Sequence, residues 1–220
     1  MSENQEFSLP EDFFDRNPMS GKTTSGHLSY FQMWTLYEPD FDNWIDDEVV
    51  SNFDEQRKNT LLEERAVIES LNGPEEIINY MRKPIEISNR NLLCRRAVEM
   101  GEDLFPLLID RLSKNGWDLF IECAMLSLSR AEDVYIDRVA EEFLSFRNAY
   151  ARAAATVLLA FRERNGSLQD LYSLYLDLRS SGDEEDYDLS ETVLFSIYLL
   201  SGRLKNLQED LSSMIGDVFK

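Results

Sequence analysis

One segment narrows the choice of folds more than any other. From Ala149 to Phe161 the chain reads Ala-Tyr-Ala-Arg-Ala-Ala-Ala-Thr-Val-Leu-Leu-Ala-Phe, with Arg152 and Thr156 its interruptions by charge or small polar group. Rich in alanine and free of glycine and proline, it favours helix. A helix apolar nearly all round has to be covered on every side. Its uncharged stretch, Ala153 to Phe161, is closed by Arg152 and Arg162 and falls far short of the roughly 20 residues that span a membrane. It predicts a buried helix in a protein that stays out of the bilayer. Leu119 to Leu128, broken by Glu122 and Ser127, and Val193 to Leu200 read the same way.

Between these segments lie one-faced helices. Leu104, Leu107, Leu108 and Leu112 form one stripe, and Ile136, Val139, Ala140 and Phe143 a second. Leu168, Leu171, Tyr172 and Tyr175 form a third, and Leu204, Leu207, Leu211 and Ile215 a fourth. Each stripe buries one face. Upstream, Leu61, Ile68 and Leu71 share a face, and Asn72-Gly73-Pro74 ends that helix and opens the next. Pro84 ends the second helix, and Ser88-Asn89 is read as the cap of a third running to Gly101. Glycine and proline are scarce, 9 and 6 of 220 residues, fewer than a turn-dense β fold would carry. The fold class is therefore all-α. Short turns such as Lys114-Asn115-Gly116 make consecutive helices antiparallel neighbours.

The one-faced stripes begin near residues 104, 136, 168 and 204, a spacing that signals a solenoid of repeats. Asn148-Ala149-Tyr150-Ala151-Arg152-Ala153-Ala154-Ala155-Thr156-Val157-Leu158 resembles the second helix of a HEAT repeat, with its Arg-Ala-Ala core. Leu104-Phe105-Pro106-Leu107-Leu108-Ile109-Asp110-Arg111-Leu112 resembles a first helix with its proline, and Leu92-Leu93-Cys94-Arg95-Arg96-Ala97-Val98 is similar to another second helix. The resemblance to HEAT-like (armadillo-type) repeat proteins covers 89–164. It implies a HEAT-like solenoid of antiparallel helix pairs over 54–220, with residues 1–53 as an acidic, aromatic-rich N-terminal arm. That arm holds ten of the 25 aromatic residues, which a solvated tail would not carry. It is expected to pack on the repeats as a strap or cap, or else to hold a partner.

Charge bears on partners. Acids outnumber bases 42 to 22, for a net charge of −20, which opposes direct binding to nucleic acid or to an anionic membrane. Residues 137–164 carry five arginines against four acids, so the basic groove of the alkylpurine DNA glycosylases built on HEAT-like repeats is not expected. Arginines at this place are expected to pair with acids of the adjacent repeat. One histidine and two cysteines leave little for a catalytic triad, zinc site or disulfide framework. Cys94 and Cys123 are read as buried reduced thiols, and the polar, acidic start Met1 to Glu6 carries no readable secretory signal. A cytoplasmic protein is expected.

The motifs that touch chemistry are incomplete. Met19-Ser20-Gly21-Lys22-Thr23-Thr24 ends like a phosphate loop, but Arg16 stands where its first glycine belongs and no apolar strand precedes it. His27 has no second imidazole or thiolate to share a metal. No cofactor, metal or catalytic residue is assigned. Two acidic segments remain. Asp183, Glu184, Glu185, Asp186 and Tyr187 are expected in a solvated loop between helices, available to a basic partner. Asp40, Asp42, Asp46 and Asp47 alternate with rings in Asp40-Phe41-Asp42-Asn43-Trp44-Ile45-Asp46-Asp47. This pattern fits a helix anchored on the core or a mimic of a phosphate backbone. The expectation is a non-catalytic protein-binding module (adaptor, scaffold or antidote-like inhibitor) with a basic protein partner. The competing readings are an enzyme on a HEAT-like frame, of glycosylase or bilin lyase type, and a structural subunit of a larger assembly.

Overall fold

The structure, a computed structural model, describes residues 7–18, 54–114 and 119–203. Among them the chain is helical and contains no strand. A single turn, α1 (Phe13–Arg16), comes first, followed by α2 (Glu55–Ser70), α3 (Pro74–Met81) and α4 (Ile87–Met100). Then come α5 (Phe105–Lys114), α6 (Phe120–Leu128), α7 (Asp133–Glu142), α8 (Ala149–Phe161), α9 (Leu168–Ser180) and α10 (Glu184–Leu200). No helix among the described residues is long and apolar enough to cross a membrane. The stripe expected over Leu204 to Ile215 lies outside the described residues, as do Asn115 and Gly116 of the expected turn Lys114-Asn115-Gly116.

Local chemistry explains most boundaries. The Asp54 carboxylate accepts the Arg57 amide at 2.8 Å and opens α2. Gly73 precedes Pro74 at the first position of α3, where proline's missing N–H is no loss. Asn148 caps α8 by accepting the amides of Tyr150 at 2.8 Å and Ala151 at 3.3 Å. Gly101 ends α4 with φ +49, a conformation costly for side chains with a Cβ. The cap expected at Ser88-Asn89 is not there: α4 already begins at Ile87, after Glu86. Asn89 is buried within the first turn, where its amide nitrogen donates to the Leu61 carbonyl at 2.9 Å and to Glu64 Oε2 at 2.8 Å. It ties α4 to α2 rather than capping its own helix. Val193 to Leu200 forms the second half of the longer α10, buried from Val193 to Ile197 and half-buried from Tyr198 to Leu200.

α8 is covered as its composition demands. α6, α7 and α10 all pack on it, and Ala151 and every residue from Ala153 to Ala160 are buried. Its alanines let three neighbours approach closely without leaving voids. The Thr156 hydroxyl, the polar interruption, meets Ser196 Oγ at 3.0 Å between α8 and α10 and donates to the Ala153 carbonyl at 2.7 Å. The even-numbered helices contact one another in order, α2 on α4, α4 on α6, α6 on α8 and α8 on α10. α5 packs on α7, and α9 on α10. The N-terminal residues 7–18 lie against α9 and α10, with Phe13 part of the core at 3% exposure.

α8 and α10 end in the same device. After each, the amide two residues past the cap bonds back to the helix: Arg164 to the Leu159 carbonyl at 2.9 Å, and Arg203 to the Tyr198 carbonyl at 3.0 Å. Both turns need a left-handed residue. α10 uses Gly202 at φ +63, whereas α8 uses Glu163 at φ +53. Relieving that strain with Glu163→Gly is expected to stabilise the fold by about 0.5–1 kcal/mol, measured as a raised urea midpoint with an unchanged slope. Leu158→Ala, at the fully buried centre of α8, is expected to cost about 2–5 kcal/mol in the same measurement.

Candidate functional site

The acidic run of 183–187 is not the solvated loop its composition suggested. Asp183 is the N-cap of α10 and Glu184, Glu185 and Asp186 form its first turn. The Asp183 carboxylate accepts the Glu185 amide at 2.8 Å. Negative charge at this end of a helix is favourable by about 0.3–1 kcal/mol per group, because unpaired backbone amides make it the positive end. The acids therefore help to start the helix while facing water: Asp183, Glu184 and Glu185 are exposed and Asp186 is partly so. Tyr187 is 51% exposed, with one ring face under the Arg179 guanidinium, 4.0 Å from the ring centre. Arg179 is held in turn by Glu191 at 2.8 Å. The second acidic segment, Asp40, Asp42, Asp46 and Asp47, lies outside the described residues, as do His27 and Met19 to Thr24.

The start of α10 stands beside the start of α8. Asn148, Ala149, Tyr150, Asp183, Glu185 and Asp186 line an open depression of about 450 Å³ between them. Its floor continues into a polar chain that sequence reading missed. The Tyr150 hydroxyl donates to Glu122 Oε1 at 3.3 Å, and Arg90 Nη1 donates to Glu122 Oε2. Both charged side chains are mostly covered, Arg90 at 16% and Glu122 at 29% exposure. Three successive even-numbered helices, α4, α6 and α8, are thus joined by one hydrogen-bonded chain. Burial pushes the Tyr150 hydroxyl well above the ordinary tyrosine value, and the adjacent Glu122 charge adds to it. A signal existed in the sequence: Glu122 is the one charge in an otherwise apolar helix, and such a charge needs a partner.

Three of the five arginines of 137–164, Arg138, Arg162 and Arg164, pair with acids of preceding helices. Arg138 bonds Asp110 of α5 and Glu142 of its own helix. Arg162 bonds Asp133 at 2.7 Å, and Arg164 bonds Asp133 at 2.7 Å and Asp137 at 2.9 Å. Arg152 donates to the Phe146 carbonyl at 2.8 Å. Cys94 and Cys123 are buried and free, the Cys94 thiol donating to the Cys123 carbonyl at 3.6 Å. The hydrogen bond with Cys94 and burial both push the Cys123 thiol well up, so it is held protonated rather than as the reactive thiolate. Among the described residues no group of three or more His, Cys, Asp or Glu side chains is placed to hold a metal ion.

The Tyr150 shift has a consequence for stability. A folded-state value above the unfolded one, near 10, leaves its stabilisation complete below pH 10 and erodes it as pH rises further, because unfolding then releases a proton. Tyr150→Phe is expected to flatten the fall in stability above about pH 10, at a cost of about 0.5–1.5 kcal/mol at neutral pH for the lost hydrogen bond; urea unfolding across pH measures both. Compared with protein-family models, with curated proteins and with solved structures, the chain matches none.

Proposed function

We propose that this protein is a non-catalytic protein-binding module, built as a HEAT-like solenoid, whose acidic edge takes a basic protein partner. The pattern of packing supports the solenoid. Even-numbered helices touch in sequence, and their contacts advance in step: Leu61 with Asn89, Arg90 with Glu122, Glu122 with Tyr150, and Thr156 with Ser196. α2 and α4 run the same way, as Asn89 meets Leu61 and Arg96 meets Leu71, and so do α8 and α10, which lie side by side at Tyr150 and Asp183 and again at Phe161 and Leu199, with α9 turning back onto α10 through Arg179 and Glu191. Such a row presents a preformed surface, so association orders few groups.

The observation that carries the binding reading is the position of the 183–187 acids. They cap and open α10 with Asp183, Glu184 and Glu185 exposed, and Asp183, Glu185 and Asp186 line an open depression together with Tyr150 and Asn148. A fixed cluster of carboxylates beside an aromatic ring complements a lysine- or arginine-bearing surface, and the overall charge of −20 speeds encounter with a basic partner while disfavouring acidic ones. The free buried thiols fit a reducing, cytoplasmic setting.

The test is capture from native lysate at low and high salt, with the wild type and with Glu184→Lys/Glu185→Lys. Basic proteins are expected at about 50 mM salt, with at least tenfold less retained at 0.5 M salt, where charges are screened beyond a few ångströms, and a comparable loss for the charge-reversed variant. Captured proteins that are not basic, or retention indifferent to both changes, would overturn the reading.

A further inference from the structure

The chain has two cysteines, and folding brings them together from 29 positions apart. Cys94 lies on α4 and Cys123 on α6, 0% and 1% exposed. The Cys94 thiol reaches the Cys123 carbonyl at 3.6 Å, and the two thiols hydrogen-bond each other. As packing groups they are small apolar side chains, interchangeable with the buried Ala97 and Ala124 of the same two helices. As a pair in contact they have a chemistry that alanine lacks.

A disulfide needs sulfurs about 2 Å apart and β-carbons about 3.5–4.5 Å apart. A sulfur that already touches its partner's thiol and main chain is carried toward that geometry by rotation about its own Cα–Cβ bond and a small helix shift. The bond adds no atom to the core, so close packing does not oppose it. Its place in the fold gives it a use. Cys123 follows Glu122, whose carboxylate holds Arg90 of α4 and Tyr150 of α8. The thiol pair and the Arg90–Glu122 pair thus span the same α4–α6 joint. A charge pair there opens and recloses with each local fluctuation, whereas a covalent bond would hold the joint shut.

We propose that Cys94 and Cys123 form a latent disulfide, a redox-operated lock on the α4–α6 joint that is closed by a small-molecule disulfide of the oxidised glutathione class. One cysteine sulfur, as thiolate, attacks a sulfur of oxidised glutathione, whose S–S bond breaks and releases one glutathione. The other cysteine then attacks the protein sulfur of this mixed disulfide and displaces the second glutathione. The two thiol protons end on the two departing glutathione thiolates, and the two electrons lost by the cysteines reduce the glutathione pair. Both thiols are buried and protonated at rest, so the exchange proceeds through transient opening of the joint. The lock is therefore slow and answers sustained oxidation rather than a brief pulse. It stands apart from the partner-binding reading and needs no partner.

The test equilibrates the full chain with a series of reduced-to-oxidised glutathione ratios, in native buffer and in concentrated urea, starting from both the reduced and the bridged protein. Acid quenching and mass spectrometry then count the chains that are two hydrogens lighter, and a linked pair of peptides holding Cys94 and Cys123 identifies the bond. The equilibrium constant for bridging is expected to be at least about a hundredfold larger in native buffer than in urea, because the fold holds the sulfurs together. A native constant equal to or below the urea value, or a native chain that stays reduced at every ratio, overturns the proposal. In the bridged chain, amide hydrogen exchange across α4 and α6 is expected to slow at least about tenfold relative to α9, and exchange no slower than in the reduced chain overturns the lock. Cys94→Ser keeps the size of the side chain and cannot form the bond. Slowed exchange in that variant under the same oxidant would place the effect elsewhere and overturn the proposal as well.

Discussion

The requirement that α8 be enclosed organises the rest of the molecule. A helix whose buried set runs from Ala151 through Ala160 with one exception exposes no face that water would tolerate, so α6, α7 and α10 are drawn onto it together. Alanine makes this possible, since a bulkier helix could not admit three close neighbours at native packing density. Once those three are seated, α4 follows against α6 and α2 against α4. The one-faced helices α5, α7 and α9 have a single stripe to bury and can leave their other faces in water.

Charged groups then fix the register between neighbours. Arg90 with Glu122, Arg138 with Asp110 and Arg162 with Asp133 are separated by 32, 28 and 29 residues, close to the spacing at which the apolar stripes return. Most are half-exposed pairs of modest strength. Glu122 differs, because it lies well covered in an apolar helix and shares its carboxylate between Arg90 and Tyr150. Removing either partner of such a group leaves an under-compensated charge, so the chain α4–α6–α8 resists sliding. Arg138, Arg162 and Arg164, three of the five arginines that a basic groove would draw on, are held by acids in these pairs.

α10, the last helix of the row, meets solvent and the N-terminal segment in different ways. α10 begins with Asp183 and three further acids, which serve the backbone amides and face outward at once. Its other long side, shared with α9, is covered by the N-terminal Phe7, Phe13 and Phe14. Three of the ten aromatic residues of the acidic arm, Phe7, Phe13 and Phe14, thus have a partner surface on helices encoded far along the chain; the other seven lie outside the described residues.

Much of this was legible in one dimension. The all-α class, the buried segments and the breaks at Gly73-Pro74 and Gly101 follow from side-chain periodicity and backbone preference, which act over a few residues. The reading failed where a residue's role depended on something distant. Asn89 looked like a cap because its type favours caps, yet it binds Leu61 and Glu64 across a helix interface. The 183–187 run looked like a loop because charge runs usually are, yet the capping geometry of Asp183 folds it into α10. Glu122 looked like an interruption until Arg90 and Tyr150 were beside it. Local sequence thus determined which stretches are helices and which faces must be hidden, because those depend on near-neighbour sterics and on solvation. Which helix hides which face, and which acid meets which arginine, was decided by tertiary packing alone, since that choice rests on contacts between groups some thirty or more residues apart.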